Sequence, residues 1–290
     1  MQTESEGHTS DGPPIAIVGA GVMGVGIATL ALVRGLAVVL VDIDNTRLDN
    51  ARARIATELR MAQLMGRLAD DTTVGALTTT TAVADLAAVA VAIEAATEDL
   101  AVKAKIFGEL SAVVRPGTPL VSNTSSIPID ELAEYAQRPE DVVGTHFMNP
   151  PYLIGTVEVI RGARTGERTM AALERALGVL GQQPVVVGDT PGFVTSRVLH
   201  PMINGAARIV QQGTASAEDV DALMENCLGH RTGPLHTADL IGIDNLVDSL
   251  QVLYERTGDE SCRPCELLLE KVRLGHHGRK AGRGFYEYTN

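Results

Sequence analysis

The sequence predicts a doubly wound, mostly parallel α/β sheet domain followed by an all-helical domain. Three observations carry that expectation. Short apolar runs alternate with longer helical segments through the first half of the chain, the rhythm of strands joined by crossover helices. A glycine-rich turn, Gly19-Ala20-Gly21-Val22-Met23-Gly24, directly follows the apolar run Ile15-Ala16-Ile17-Val18. Beyond Gly188-Asp189-Thr190-Pro191-Gly192-Phe193, where Gly and Pro mark a boundary, only helical patterns follow.

Taken in order, strands are expected over 15–19, 37–42, 89–94, 120–122 and 142–146, with a short one beginning at 78–81. Helices are expected over 25–34, 45–65 and 103–114. From Val142 the pattern changes. That strand runs into a Pro-rich loop, 148–155, and then into Thr156-Val-Glu-Val-Ile160. Two strands joined by so short a connection pair antiparallel. A further strand is expected over 183–187. The second half predicts a helix over 193–212 kinked at Pro201, and one opened by Ser216 in a capping box with Asp219 where Glu is preferred. Further helices are expected over 240–256 and 264–274. The domains are then a disordered polar lead over 1–13, a sheet domain over 14–188 and a helical domain over 189–290.

Each residue of the glycine turn has a physical task. Gly19 permits the tight exit from the first strand, Gly21 lets backbone approach a pyrophosphate, and Gly24 lets the next helix pack closely. Val22 and Met23 lie between them, where the helix N-terminus offers N–H groups and a partial positive charge to phosphates. This is a Rossmann-type dinucleotide site. Asp42, ending the second strand, can accept hydrogen bonds from ribose hydroxyls and would repel a 2′-phosphate, which selects NAD over NADP. Arg47 reads as a residue of the solvated face of the following helix.

Composition narrows the remaining classes. Of 290 residues, 45% are hydrophobic and 21% charged, a globular balance. Aromatics are only 3%, Trp is absent and the net charge is -12, which together exclude nucleic acid as a partner. No apolar run is long enough to span a bilayer, and residues 1–13 hold no hydrophobic signal segment. Cys227, Cys262 and Cys265 do not form a disulfide framework, and Cys262-Arg-Pro-Cys265 has no second pair to complete a metal site. A cytoplasmic protein without a bound metal is expected.

His146 and Glu158 fall on the two antiparallel strands. A carboxylate beside an imidazole fixes its tautomer and favours its protonated form. That suits a general base removing a hydroxyl proton while hydride leaves the same carbon. A structural His–Glu hydrogen bond has the same spacing. Ser122-Asn-Thr-Ser-Ser126 follows a strand at its carboxyl end, the side on which open α/β sheets bind ligands. Ser and Asn are also ordinary turn residues.

The chain resembles the 3-hydroxyacyl-CoA dehydrogenase family, including the 3-hydroxybutyryl-CoA dehydrogenases, from about Ile15 to Tyr288. The resemblance rests on the glycine turn, Glu94-Ala-Ala-Thr-Glu98, Ser122-Asn-Thr-Ser-Ser, His146-Phe-Met-Asn-Pro-Pro, Asp189-Thr-Pro-Gly-Phe and Gly278-Arg-Lys-Ala-Gly-Arg-Gly-Phe-Tyr286, in that order. It implies reversible NAD-dependent oxidation of a (3S)-3-hydroxyacyl thioester. By family position His146 is the base and Glu158 its orienting partner. Ser125 hydrogen-bonds the substrate oxygen, and Asn149 holds the thioester region or the nicotinamide side of the cleft. Glu98, Lys103 and Asn123 line the nicotinamide-ribose part of the NAD site. A dimer through the helical domain is also implied.

Three departures bear on the substrate. Ser196 stands where the family usually has Asn, with His200 one turn on, either filling the vacated space or serving as an ordinary helix histidine. No Lys precedes Lys103, so Arg52, Arg54, Arg60 and Arg67 replace the lysines that meet CoA phosphates in relatives; arginine binds phosphate well. The loop Asn149-Pro-Pro-Tyr-Leu-Ile-Gly155 also differs. Together these resemble a branch acting on a hydroxyacyl, glyceryl-type group carried by an acyl carrier protein in secondary-metabolite extender-unit biosynthesis, which stands as the alternative. A non-catalytic NAD-binding structural protein is the more distant one.

Overall fold

The computed structural model describes residues 12–68 and 73–288. The lead expected over 1–13 therefore lies outside the described residues except for Gly12 and Pro13. The chain divides into two compact units, Met1–Asp189 and Thr190–Asn290.

The first unit runs β1 (Ile15–Val18), α1 (Val22–Val33), β2 (Val38–Val41), α2 (Asn45–Leu64), β3 (Leu77–Thr80), β4 (Val91–Glu94), α3 (Leu100–Val113), β5 (Leu120–Ser122), α4 (Ile129–Ala133), β6 (Val142–His146), β7 (Thr156–Arg161), α5 (Glu167–Val179) and β8 (Gln183–Gly188). These strands form one sheet in the order β3-β2-β1-β4-β5-β6-β7-β8. Every neighbouring pair is parallel except β6 and β7. The order reverses direction between β1 and β4, the switch point at which such sheets open a ligand crevice beyond their carboxyl ends. Continuous apolar strands such as Ile15–Val18, buried at every position, are what a sheet covered on both faces requires.

Helix α1 begins three residues earlier than the sequence predicts. Gly21 is extended and caps it, and the Val25 N–H closes the first turn on the Gly21 carbonyl at 3.0 Å. Helix α3 likewise starts early, because the Asp99 carboxylate accepts from the Val102 N–H and supplies a cap. Two helices of this unit lie outside the expected ranges. Helix α4 is a single short turn of chain. Helix α5 buries Leu173 and Leu177 against the sheet core, an i, i+4 pair that carries its apolar face.

The second unit comprises α6 (Thr195–Gln211), α7 (Ala217–Leu228), α8 (Pro234–Ile241), α9 (Ile243–Thr257) and α10 (Glu266–Arg273). Helix α9 matches the helix expected over 240–256, whereas α8 lies largely outside the expected ranges; the two are separated at Gly242 with φ 95°, a conformation open to glycine alone at little strain. Helix α6 runs on past Pro201, whose ring nitrogen cannot donate to the Arg197 carbonyl. Ser216 Oγ accepts the Asp219 N–H at 3.1 Å, while Asp219 takes the Ser216 hydroxyl, so half of the expected capping box forms. The core of this unit gathers Ile203, Leu235, Leu246, Leu250, Leu253 and Leu268.

Candidate active site

The glycine turn is shaped by contact. Gly19 has φ 112°, and a Cβ there would lie 2.6 Å from the Ala95 carbonyl oxygen. A Cβ on Gly24 would fall 1.8 Å from the Gly19 carbonyl oxygen, so α1 lies directly on the turn. Gly21 is different: nothing stands within 4 Å of the Cβ it lacks, which leaves its backbone open to approach. Val22 is exposed and Met23 half-buried against the core. No side chain caps α1 and no acidic residue occupies its first turn, so its leading N–H groups suit an anion.

Asp42 follows β2 and is buried. Its Oδ2 accepts the Ala20 N–H at 2.9 Å, pinning the end of β2 to the glycine turn. Arg47 is exposed on α2. An open glycine, an uncapped helix start and a carboxylate at the β2 end fit the pyrophosphate and free ribose hydroxyls of NAD.

At the end of β4 stands a residue whose role sequence reasoning missed. Glu94 is fully buried. Its Oε1 accepts from the Ala96 N–H and from Lys103 Nζ, both at 2.7 Å, and its Oε2 accepts the Ser122 hydroxyl at 2.7 Å. Lys103, also fully buried, reaches Glu98 Oε2 at 3.2 Å. The available signal was an acid ending an apolar strand with a lysine following it on the next helix.

Glu98 Oε1 gathers the loop after β5. It accepts from the Thr124 hydroxyl at 2.6 Å, the Ser125 N–H at 2.9 Å, the Ser126 N–H at 3.1 Å and the Ser126 hydroxyl at 3.0 Å. The Ser125 hydroxyl stands 3.3 Å away. Desolvation pushes the Glu98 carboxyl up, but the Lys103 ammonium and these donors outweigh it and hold the group below the usual carboxylate range. Asn123 ties this loop to the next strand, its Oδ1 accepting the Phe147 N–H at 3.1 Å.

His146 and Glu158 are directly opposite in the β6–β7 register. His146 Nδ1 lies 2.8 Å from Glu158 Oε2, with side chains 12% and 7% exposed. The hydrogen bond assigns the neutral ring's proton to Nδ1, so the basic lone pair is that of Nε2. Asn149, exposed, begins the connecting loop with a cis bond to Pro150. Thus His146 and Glu158 are brought together, as are Ser125, Glu98 and Lys103.

Ser196 belongs to the helical unit, buried in the first turn of α6. His200 is buried one turn on, with Nδ1 2.8 Å from the Ser249 hydroxyl, a bond within the helical unit. Cys262 and Cys265 are free and buried in its core, where desolvation pushes both thiols up. Among the described residues, no three His, Cys, Asp or Glu side chains are gathered to hold a metal.

Comparison with known proteins agrees with this architecture. The profile of the 3-hydroxyacyl-CoA dehydrogenase NAD binding domain matches residues 14–190, and that of the 3-hydroxyacyl-CoA dehydrogenase C-terminal domain matches residues 192–288. A 3-hydroxybutyryl-CoA dehydrogenase of Bradyrhizobium diazoefficiens is 41% identical over 277 residues, spanning 94% of this chain and 94% of the relative. The crystal structure of Mycobacterium tuberculosis FadB2 superposes with a TM-score of 0.92 at 38% identity, covering 96% of this chain and 100% of that one. That of (S)-3-hydroxybutyryl-CoA dehydrogenase PaaH1 from Ralstonia eutropha gives 0.86 at 38% identity, covering 97% and 100%. With both domain profiles matched across nearly its whole length, the chain belongs to the 3-hydroxyacyl-CoA dehydrogenase family and carries that family's NAD-binding domain.

Proposed function

We propose that this enzyme interconverts (3S)-3-hydroxyacyl-CoA and 3-oxoacyl-CoA thioesters of the 3-hydroxybutyryl type. The observation that carries the chemistry is the cross-strand His146–Glu158 pair at 2.8 Å. Bound NAD supplies the hydride acceptor. His146 Nε2 takes the hydroxyl proton as the carbon loses its hydride, so one O–H and one C–H bond break and a C=O bond forms. Glu158 holds Nδ1–H and stabilises the imidazolium that results. In the reverse direction the imidazolium returns the proton to the developing alkoxide.

Ser125 hydrogen-bonds the substrate oxygen, and Asn149 and Ser196 serve the thioester or nicotinamide side. Gly19, Gly21, Val22, Met23 and Gly24 receive the pyrophosphate, and Asp42 the adenosine ribose. Glu98 and Asn123 border the nicotinamide ribose. Lys103 is buried beneath Glu98, so it serves that border by holding the carboxylate. The first unit binds NAD; the helical unit bears substrate contacts and pairs two copies, supported by exposed apolar side chains Val198 on α6 and Leu223 and Leu228 on α7. We place the enzyme in the cytoplasm, in keeping with three unpaired cysteines; among the described residues no helix is long and apolar enough to cross a membrane.

The test is NADH oxidation with acetoacetyl-CoA, followed by absorbance, with NADPH as the control. NADH-specific turnover is the expected result. NADH binding by fluorescence with no turnover would overturn the CoA reading in favour of a hydroxyacyl group on a carrier protein.

A further inference from the structure

Gly26 lies one residue pair beyond the glycine turn, buried on α1. A Cβ built there meets Pro151 Cδ at 2.7 Å and Cγ at 3.2 Å, and comes within 3.9 Å of Asn149 Oδ1. Its nearest neighbours therefore belong to the loop that leaves His146, and neither side of this contact is free to give. Helix α1 is buried along ten of its residues and sits against the Gly19 carbonyl through Gly24. The loop is fastened from several directions. Pro151 is buried, and Tyr152 packs among Val33, Ala62 and Leu68. Arg67 donates to the Leu153 carbonyl at 3.2 Å, and the Gly155 carbonyl accepts the Gln183 N–H at 2.7 Å. Pro151 Cδ is bonded to the backbone nitrogen and Cγ is its neighbour in the same closed ring, so neither is the end of a flexible side chain.

We infer that Gly26 is a positioning residue for the reaction: its missing side chain seats the Pro150-Pro151 loop against the dinucleotide helix and thereby sets the placement of Asn149 and His146. This rests on the proposed dehydrogenase reading. It makes α1 serve two ends of the site, with its first turn toward the cofactor phosphates and its next turn toward the loop that follows the base.

Ordinary helix physics predicts the opposite sign for the obvious variant. A buried helical Gly changed to Ala gains helix propensity and is stabilised, unless the methyl has no room. The experiment is the cycle of Gly26→Ala, Pro151→Ala and the double variant, since Pro151→Ala removes both clashing ring atoms. In the wild-type background Gly26→Ala lowers Tm and cuts kcat for acetoacetyl-CoA reduction by about ten- to a hundredfold. NADH affinity, read by fluorescence, stays within about twofold because the first turn of α1 is untouched. In the Pro151→Ala background the same change raises Tm and alters kcat by less than about twofold.

A kcat loss that persists undiminished in the Pro151→Ala background overturns the inference, as does a parallel loss of NADH affinity. Should Gly26→Ala fail to fold, a folded double variant supports the contact and an unfolded one overturns it. Should the wild type not reduce acetoacetyl-CoA, the CoA-substrate reading fails first. The Tm cycle then still decides the loop seat: sign inversion supports it and additivity overturns it.

Discussion

At the residue scale the chemistry rests on few atoms. With Glu158 on Nδ1, His146 is oriented before any substrate arrives, and its Nε2 lone pair is the one that can move a proton. Replacing His146 by Gln keeps a polar side chain of similar reach but removes the base. Turnover is expected to fall by about a hundred- to ten-thousandfold while NADH affinity stays nearly intact; loss of both together would count against the role. Glu158→Gln is expected to lower kcat strongly and to shift the pH–rate profile, since a neutral amide no longer stabilises the imidazolium. An unchanged profile would make Glu158 structural only. The residue types here were legible from sequence. The burial of Lys103 between Glu94 and Glu98 was not, because a lysine early in a helix carries no mark of which way it faces.

At the element scale, the site is assembled by what ends each strand. Strand β4 ends at Glu94, β5 at Ser122 and β6 at His146, all at carboxyl ends of the parallel sheet. The Glu94–Lys103 ion pair joins β4 to α3, out of water. Lys103→Met is expected to destabilise the protein by about 3–5 kcal/mol, because it strands a buried carboxylate. Adding Glu94→Gln should recover part of that loss. Urea denaturation of both variants measures it, and equal loss in the two would show that the pair is not coupled. The strand rhythm and the antiparallel β6–β7 turn could be read from alternation and loop length. The register could not. A slip of one residue would send His146 and Glu158 to opposite faces, and it is packing of the apolar neighbours that forbids it. Helix α5 fills the stretch between the strands expected at 156–160 and 183–187, and Leu173 and Leu177 mark its buried face.

At the scale of the whole molecule, two cores fold from one chain. The helical unit closes on its own tail: Asp239 accepts the Phe285 and Tyr286 N–H groups at 2.9 and 3.0 Å and the Tyr288 hydroxyl at 3.0 Å. Burial, with Asp239 beside it, pushes the Tyr288 phenol up to about 12. A phenol raised in the folded state is neutral there after it has ionised in the unfolded chain. Its stabilising effect is therefore complete below about pH 10 and is lost as pH rises toward about 12. Thermal midpoints of wild type and Tyr288→Phe are expected to differ most near neutral pH and to converge through that window, with NADH binding retained by the variant. A gap that does not change with pH would remove Tyr288 from the clasp.

The sequence by itself determined the fold class, the glycine turn, the preference for NAD and the two strands that carry His146 and Glu158. Each is a local signal: glycine where backbone must approach, an acid at a strand end, a histidine and a glutamate on strands joined by a short loop. Tertiary structure alone decided which side chains became partners. The sharing of Lys103 by two carboxylates, the cross-strand register of His146 with Glu158 and the space left at Gly26 all depend on residues brought together from different elements. Close packing and the cost of burying an unpaired charge select such contacts, and neither acts until distant segments meet.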